Sequence, residues 1–407
     1  MDIRPILSTL RRHKTAAALI VLEIALACAI ICNAIYLIDR RIDRMARPSG
    51  TVEAELVRIQ MPSIDDDGDV NRRAAVERDL AALRAIPGVT HVAAASQIPF
   101  GNSSSTSGVR LSPDQTHDTL LSSPYVGSED LLDTLGLQLV EGRRFNADEY
   151  QDMDVLARAG EAGKLPSMIV NRAMAERLFP GESAIGKRVY SWGTAPITIV
   201  GVVDTLARPN DHGGDGDATM LLPVRENASS VNYLLRSAPA DRQRVLDAGV
   251  AALKQLDPNR VPVNSDLLSD LRDRYYRQDR AMALLMVVVC VSLLVVTALG
   301  IVGLASFWVQ QRTKQIGIRR ALGATRAQIL RYFQIENFLL ATMGIALGML
   351  LAFGLNQLLM ARYELDRLPL LYLPIGAVSL WLLGQFAVYW PARRAARVPP
   401  AVATRSV

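Results

Sequence analysis

The apolar residues of this chain collect in four long runs, at residues 15–38, 281–309, 333–360 and 370–389, and one long polar stretch, 39–280, separates the first from the second. A water-soluble chain spreads its apolar residues as amphipathic stripes, three or four per two helical turns. Here each run is instead long enough to cross a hydrocarbon core about 30 Å thick. The pattern predicts an α-helical membrane protein with four transmembrane helices and one large domain outside the bilayer. Half of the residues are apolar and the net charge is only +5. Most basic residues flank apolar runs, so there is no nucleic-acid footprint.

Cys28, Cys32 and Cys290 all fall inside apolar runs, so disulfides cannot hold the polar domain, which needs a core of its own. Cys28 and Cys32 stand one helical turn apart with no His or carboxylate cluster beside them, which makes them packing residues rather than metal ligands.

Arg4, Arg11, Arg12, His13 and Lys14 precede the first run, and Ile3, Leu7 and Leu10 add an apolar stripe there. Residues 1–14 read as an interfacial helix. No small-residue cleavage site follows the run, so it reads as an uncleaved anchor. The segment 310–332 carries Arg312, Lys314, Arg319, Arg320, Arg326 and Arg331 and no acid; the tail 390–407 carries Arg393, Arg394, Arg397 and Arg405, again without one. The excess of basic residues places both segments and the N-terminus in the cytoplasm. Residues 39–280 and the short loop 361–369 then lie outside an inner (plasma) membrane. Arg40, Arg41, Arg44 and Arg47 oppose this assignment, but Asp39 and Asp43 partly balance them at the start of a long domain, where the rule is weak.

Within the spans Glu23 is the costly residue, because a carboxylate at membrane depth needs a partner or a proton. It reads either as part of a polar seam facing a partner subunit or as a bundle-facing carboxyl, with Asn33 lining the same assembly. Gly344 and Gly348, four apart, permit close helix approach.

The polar domain has the composition of an α/β fold. Residues 51–60 alternate as a strand, 71–86 have helical spacing up to the Pro87-Gly88 stop, and 89–95 read as a second strand. The same order recurs as strand 231–236, helix 241–256, stop at Asp257-Pro258 and strand 261–264. Two β-α-β units thus bracket the domain in positions to share one sheet, with an inserted subdomain between them. Segments 101–108 and 210–217, rich in Ser, Gly and Asp, are the exposed stretches open to a substrate or adaptor. After Asp266 the pattern turns helical without a breaker, predicting one rod of about 60 Å running into the second span.

Gly181-Glu-Ser-Ala-Ile-Gly-Lys187-Arg188 imitates a phosphate loop but lacks the hydroxyl that ligates Mg²⁺ and follows a helix and turn instead of a strand. Asp65-Asp-Asp67-Gly68-Asp69 imitates a calcium loop but has Val76 where a bidentate Glu is required. His13, His91, His117 and His212 are isolated. The expectation is a chain without a catalytic site, metal or cofactor.

Three stretches resemble one family. Gln311-Arg-Thr-Lys-Gln-Ile-Gly-Ile-Arg-Arg-Ala-Leu-Gly-Ala324 with Thr325-Arg-Ala-Gln-Ile-Leu-Arg331, and the tail Pro391-Ala-Arg-Arg-Ala-Ala-Arg397 with Pro400-Ala-Val402, are similar to FtsX/MacB-type ABC transporter permeases. Leu135-Gly-Leu-Gln-Leu-Val-Glu-Gly-Arg143, Val170-Asn-Arg-Ala-Met-Ala-Glu-Arg-Leu-Phe-Pro-Gly181 and Ile199-Val-Gly-Val-Val203 resemble the MacB-like periplasmic core.

The resemblance implies mechanotransmission. A separate cytoplasmic ABC ATPase, which binds the ATP and Mg²⁺, docks on each of two permease chains, and its closure drives a change in the outer domains. The implied coupling residues are Lys314, Gln315, Ile316, Gly317, Ile318, Arg319, Arg320, Ala321, Leu322, Gly323 and Ala324, where the bare sequence without the resemblance favours a basic segment lying on lipid headgroups. A periplasmic membrane-fusion adaptor is the further implied partner. Gln315 stands where the family usually has Glu, which hints at pairing with a related, non-identical permease. The alternatives are a lipoprotein-release permease and an FtsX-like signalling subunit regulating a cell-wall hydrolase. On the export reading Arg319→Glu or Gly323→Glu uncouples the complex and leaves folding intact.

Overall fold

The computed structural model describes residues 14–62, 68–101, 104–153, 156, 165–210, 217–226, 231–363 and 369–397. The expected interfacial helix up to residue 13, the acidic run 65–67, parts of the two exposed segments (102–103 and 211–216), the loop 364–368 and the tail beyond 397 lie outside the described residues. The described residues form two units, an α/β domain within 47–277 and a helical bundle made by the other described residues.

The bundle begins with helix α1 (Lys14–Ala46). The α/β domain opens on β1 (Leu56–Gln60), α2 (Gly68–Arg84) and β2 (Val89–Ala95), and closes on β12 (Asn232–Ser237), α5 (Arg242–Leu256) and β13 (Asn264–Leu267). The two β-α-β units interleave in one antiparallel sheet of order β13-β1-β12-β2, with Leu56 opposite Arg236 and Val57 opposite Leu267. This is the split β-α-β arrangement. Leu80 and Leu83 of α2 and Val245, Leu246 and Leu253 of α5 bury against Val57, Ile59, Val92 and Tyr233. One carboxylate oxygen of buried Asp79 on α2 accepts from both Tyr233 and Arg260, each at 2.6 Å, which ties the helix to the sheet and to the segment before β13.

The final strand lies three residues later than the predicted 261–264. Val261 and Val263, which suggested that strand, are exposed. Pro262 between them has no N–H to give to a ladder; Val261 N–H reaches the Pro62 carbonyl at 3.4 Å and Val263 N–H the Gln60 carbonyl at 3.0 Å, but regular pairing with β1 starts at Asn264.

The inserted subdomain carries a sheet of order β3-β4-β10-β7-β9-β5, formed by Ser107–Val109, Leu120–Val126, Thr219–Leu222, Ser167–Asn171, Ile197–Val203 and Leu139–Gly142, with β8 (Arg188–Val189) added to β9. A two-stranded ladder joins β6 (Gln151–Asp152) to β11 (Val224–Arg225). Its family-like motifs have local physical roles. Gly136 ends α3 (Leu131–Leu135) in the left-handed region at φ 69°, and Gly142 takes φ 80° where a Cβ would strike the Val200 carbonyl. Arg143 holds Glu149 through two bonds of 2.7 and 2.8 Å and, with the Asn146 backbone, draws its carboxyl down to about 2. Asn171 caps α4 (Arg172–Leu178), its side chain accepting from Met174 N.

The expected 60 Å rod is interrupted. Helix α6 (Leu268–Tyr275) stops at Tyr276, whose backbone sits at φ −89°, ψ 6°, and α7 (Arg277–Gln311) begins anew. The cause is packing: the Tyr276 ring is buried and meets Phe100 edge-on at 5.9 Å, while Tyr275 also touches Phe100.

The bundle is completed by α7, α8 (Thr313–Ala321), α9 (Arg326–Tyr363) and α10 (Tyr372–Ala396), which continues through Pro391. The helices α1, α7, α9 and α10 are each long and apolar enough to cross a membrane. Small residues let α9 lie against α1. A Cβ on Gly344 would stand 2.8 Å from Ile24, and one on Gly348 would stand 2.7 Å from the Ala25 carbonyl.

Candidate functional site

The coupling segment that the resemblance implies lies between the second and third apolar runs, and the structure folds that segment into a short helical hairpin. Helix α7 ends at Gln311, Arg312 makes the corner, and α8 runs from Thr313 to Ala321. The chain then reverses through Gly323 at φ 96°, with Ala324 N–H donating to the Arg319 carbonyl at 3.0 Å. Thr325 and Gln328 cap α9 reciprocally, each side chain accepting the other's backbone N–H at 3.3 and 2.9 Å. The left-handed turn requires Gly323. Gly323→Glu therefore strains the turn, which corrects the expectation that it would leave folding intact.

Two residues fix the hairpin to the bundle. Arg312 at the corner reaches Glu336 on α9 with bonds of 2.8 and 3.1 Å, and Glu336 is only 1% exposed. The Arg312 guanidinium also lies 5.4 Å from the Trp308 ring. A buried pair of this kind is held by geometry, and removing one partner strands the other charge. On α8, Ile316 and Gly317 turn inward, and Arg320 donates to the Ala396 carbonyl of α10 at 3.1 Å.

The outward face is apolar at its tip: Ile318 is 47% exposed and Leu322, one turn on, 83%. Lys314, Gln315 and Ala321 are also exposed. Arg319 bends back to lie 5.2 Å from the Tyr332 ring on α9. Between α8 and the start of α9 lies a cleft of about 470 Å³, with Arg312, Gln315, Arg319 and Arg331 on its walls.

Glu336 escaped the sequence reading, which singled out Glu23. The available signal was an acid three residues into an apolar run, facing an acid-free basic segment. Glu23 and Asn33 occupy different places on α1. The Glu23 carboxyl lies against the bare backbone of Gly300 on α7, 2.6 Å from where a Cβ would stand. Asn33 donates to the Ala29 and Ala352 carbonyls at 2.9 and 3.3 Å, inside the seam between α1 and α9.

The phosphate-loop imitation is a surface turn between α4 and β8. Gly181 and Gly186 take φ 76° and 77°, Lys187 is committed to Glu182 at 2.7 Å, and Ser183 bonds Glu141. Among the described residues there is no cluster of three or more metal-ligating side chains.

Residues 19–253 match the MacB-like periplasmic core domain, and residues 287–400 match the FtsX-like permease C-terminal. The chain is 25% identical to the macrolide export ATP-binding/permease protein MacB of Acinetobacter baylyi over 357 residues, covering 83% of this chain and 49% of that protein. It is 26% identical to the MacB of Bartonella henselae over 365 residues, covering 84% and 49%. The chain thus spans about half the length of these curated relatives. Solved structures of the periplasmic region of MacB from Actinobacillus actinomycetemcomitans (13% identity, 57% of this chain and 97% of that one, TM-score 0.34) and of the extracellular domain of the ABC-type transporter YknZ from Gram-positive bacteria (18%, 51% and 100%, 0.32) are also similar. Two matched regions, one of them covering more than half of the sequence, make this chain a member of the MacB-like ABC transporter permease family, a multi-pass membrane permease with a MacB-like periplasmic core domain.

Proposed function

We propose that this chain is the transmembrane subunit of a MacB-type export complex and that a separate cytoplasmic ABC ATPase docks on the hairpin 310–332. ATP binding and hydrolysis in that partner displace the hairpin, α7 carries the displacement along its length, and the periplasmic domain changes shape to drive substrate onward from the periplasmic side. Two permease chains work together, and a periplasmic membrane-fusion adaptor hands on the substrate. Both termini lie in the cytoplasm on this reading, and the membrane is the inner one. The chain carries no reaction of its own; ATP and Mg²⁺ belong to the partner.

One observation carries the docking step. Ile318 and Leu322 present apolar side chains to solvent on a helix that is otherwise locked in place, by the Arg312–Glu336 pair at one end and the Arg320–Ala396 bond at the other. A rigidly mounted, exposed apolar pair one turn apart is the form of a helix-in-groove anchor. A segment serving only to lie on headgroups would not need a buried ion pair to fix its angle.

Purification of the full chain from its native membrane in mild detergent, with every co-purifying protein identified by mass spectrometry, tests the reading. An ATPase together with an adaptor is the expected result, and a second, related permease would explain Gln315. An ATPase accompanied by a cell-wall hydrolase moves the function to signalling, and recovery of no ATPase contradicts the proposal.

A further inference from the structure

The cleft of about 470 Å³ beside the hairpin has a composition that docking on an ATPase does not account for. Its walls carry Arg312, Arg319 and Arg331 and no acidic residue, and its floor is closed by the buried side chains of Ile316, Ile329 and Phe333. Arg312 is committed to Glu336. Arg319 and Arg331 are exposed, and among the described residues neither meets a carboxylate; Arg319 is instead positioned by the Tyr332 ring. Two guanidinium groups without counter-charge thus border one cleft, at the level where the second apolar run has ended and the third begins at residue 333.

The geometry points to a binding site for the headgroup of an anionic phospholipid. Guanidinium groups are suited to phosphate oxygens, which they engage with paired, charge-assisted hydrogen bonds. Basic pockets between membrane helices at the bilayer edge are where such headgroups are held. Position decides the occupant: the cleft opens where one apolar run has ended and the next begins, so the bilayer itself presents a phosphate anchored by acyl chains to the two arginines. A free phosphate, or an acidic side chain from another protein, satisfies the charges without that anchorage. The inference stands independently of ATPase docking, since it uses only this chain and the bilayer. Its consequence is that the lipid, seated between α8 and α9, braces the hairpin.

The test is native mass spectrometry of the full chain in mild detergent, titrated with dioleoylphosphatidylglycerol, with dioleoylphosphatidylcholine as the zwitterionic control and inorganic phosphate as competitor. One phosphatidylglycerol per chain is expected to bind in preference to phosphatidylcholine. At about fivefold in affinity for each basic residue near the surface, Arg319→Gln with Arg331→Gln should weaken it about thirtyfold. Arg393→Gln with Arg394→Gln removes the same charge from exposed positions on α10 and should leave binding unchanged. Arg331→Gln alone, at an exposed position, repeats the test with about fivefold expected if the double variant melts early. Equal weakening by the two double variants would mean diffuse charge attraction and overturn the site. Displacement of the lipid by millimolar phosphate would make it a free-anion site. Undiminished lipid binding by the cleft variants would leave the arginines to an acidic partner protein.

Discussion

Helices α1 and α7 are of nearly equal length, 33 and 35 residues, and both are apolar enough to span a bilayer, yet they are held in opposite ways. Half of the apolar window of α1 is buried, against 17% for α7. α1 is seamed along its length by small residues: Gly344 and Gly348 of α9 admit Ile24 and Cys28, Gly376 of α10 admits Cys32, and Asn33 bonds across to Ala352. α7 buries one narrow face, with Cys290, Ile301, Ala305 and Trp308 in the bundle core, and is pinned beside it at a few polar side chains. Arg41 of α1 pairs with Asp279 near its start, Glu23 lies on Gly300 at mid-span, and the Arg312–Glu336 pair clamps the residue just past its end. Between these points Leu284, Val288, Val291, Val295 and Leu299 face outward. A helix held along one narrow face and free along the other is suited to transmitting displacement and to meeting lipid or a second permease chain. A helix zipped along its length is suited to serve as the fixed frame.

The clamp carries the largest expected effect. Arg312→Ala leaves a buried Glu336 without its partner and should cost about 3–5 kcal/mol, seen as a large fall in thermal stability of the purified chain. Arg312→Met with Glu336→Leu should recover most of that loss, because no charge remains stranded. Next is the seam. Gly348→Leu drives a side chain into Cys28 and the Ala25 carbonyl and should cost about 1–3 kcal/mol by the same assay. At the other end of α7, Asp279→Asn removes a part-buried pair and should cost less, about 1 kcal/mol. Smallest are Leu284→Ala and Leu299→Ala, both on the exposed face, which should move stability of the isolated chain by less than about 0.5 kcal/mol. A large effect there would mean that α7 is packed like α1, and the contrast would fail. An effect confined to the paired form, read as loss of dimer in crosslinking, would sharpen it by placing the second permease chain on that face.

What was legible in the sequence divides along similar lines. The β-α-β units could be read because alternation, helical spacing and the Pro87-Gly88 stop are local signals. Their interleaving could not, since the pairing of Leu56 with Arg236 joins residues whose separation no periodicity records. The break at Tyr276 carries no Pro or Gly; a buried ring packed on Phe100 makes it, and that is a tertiary cause. The hairpin was located from its charge and resemblance, but its anchor was not. Glu336 looked like one polar residue in an apolar run, and only folding brings it to Arg312, 24 positions earlier. The cleft was invisible for the same reason: Arg319 and Arg331 read as members of a basic loop until α8 and α9 set them around one space.

On the proposed function the exposed tip of the hairpin is where the ATPase docks. Leu322→Cys, in a chain whose own three cysteines are buried, offers a thiol at that tip for crosslinking in native membranes. A crosslink from Cys at 322 to an ABC ATPase is expected, weakened when Ile318→Glu is added and absent when the thiol is placed at Leu284 instead. Crosslinking to lipid-phase reagents alone, with no ATPase adduct at 322, would contradict it.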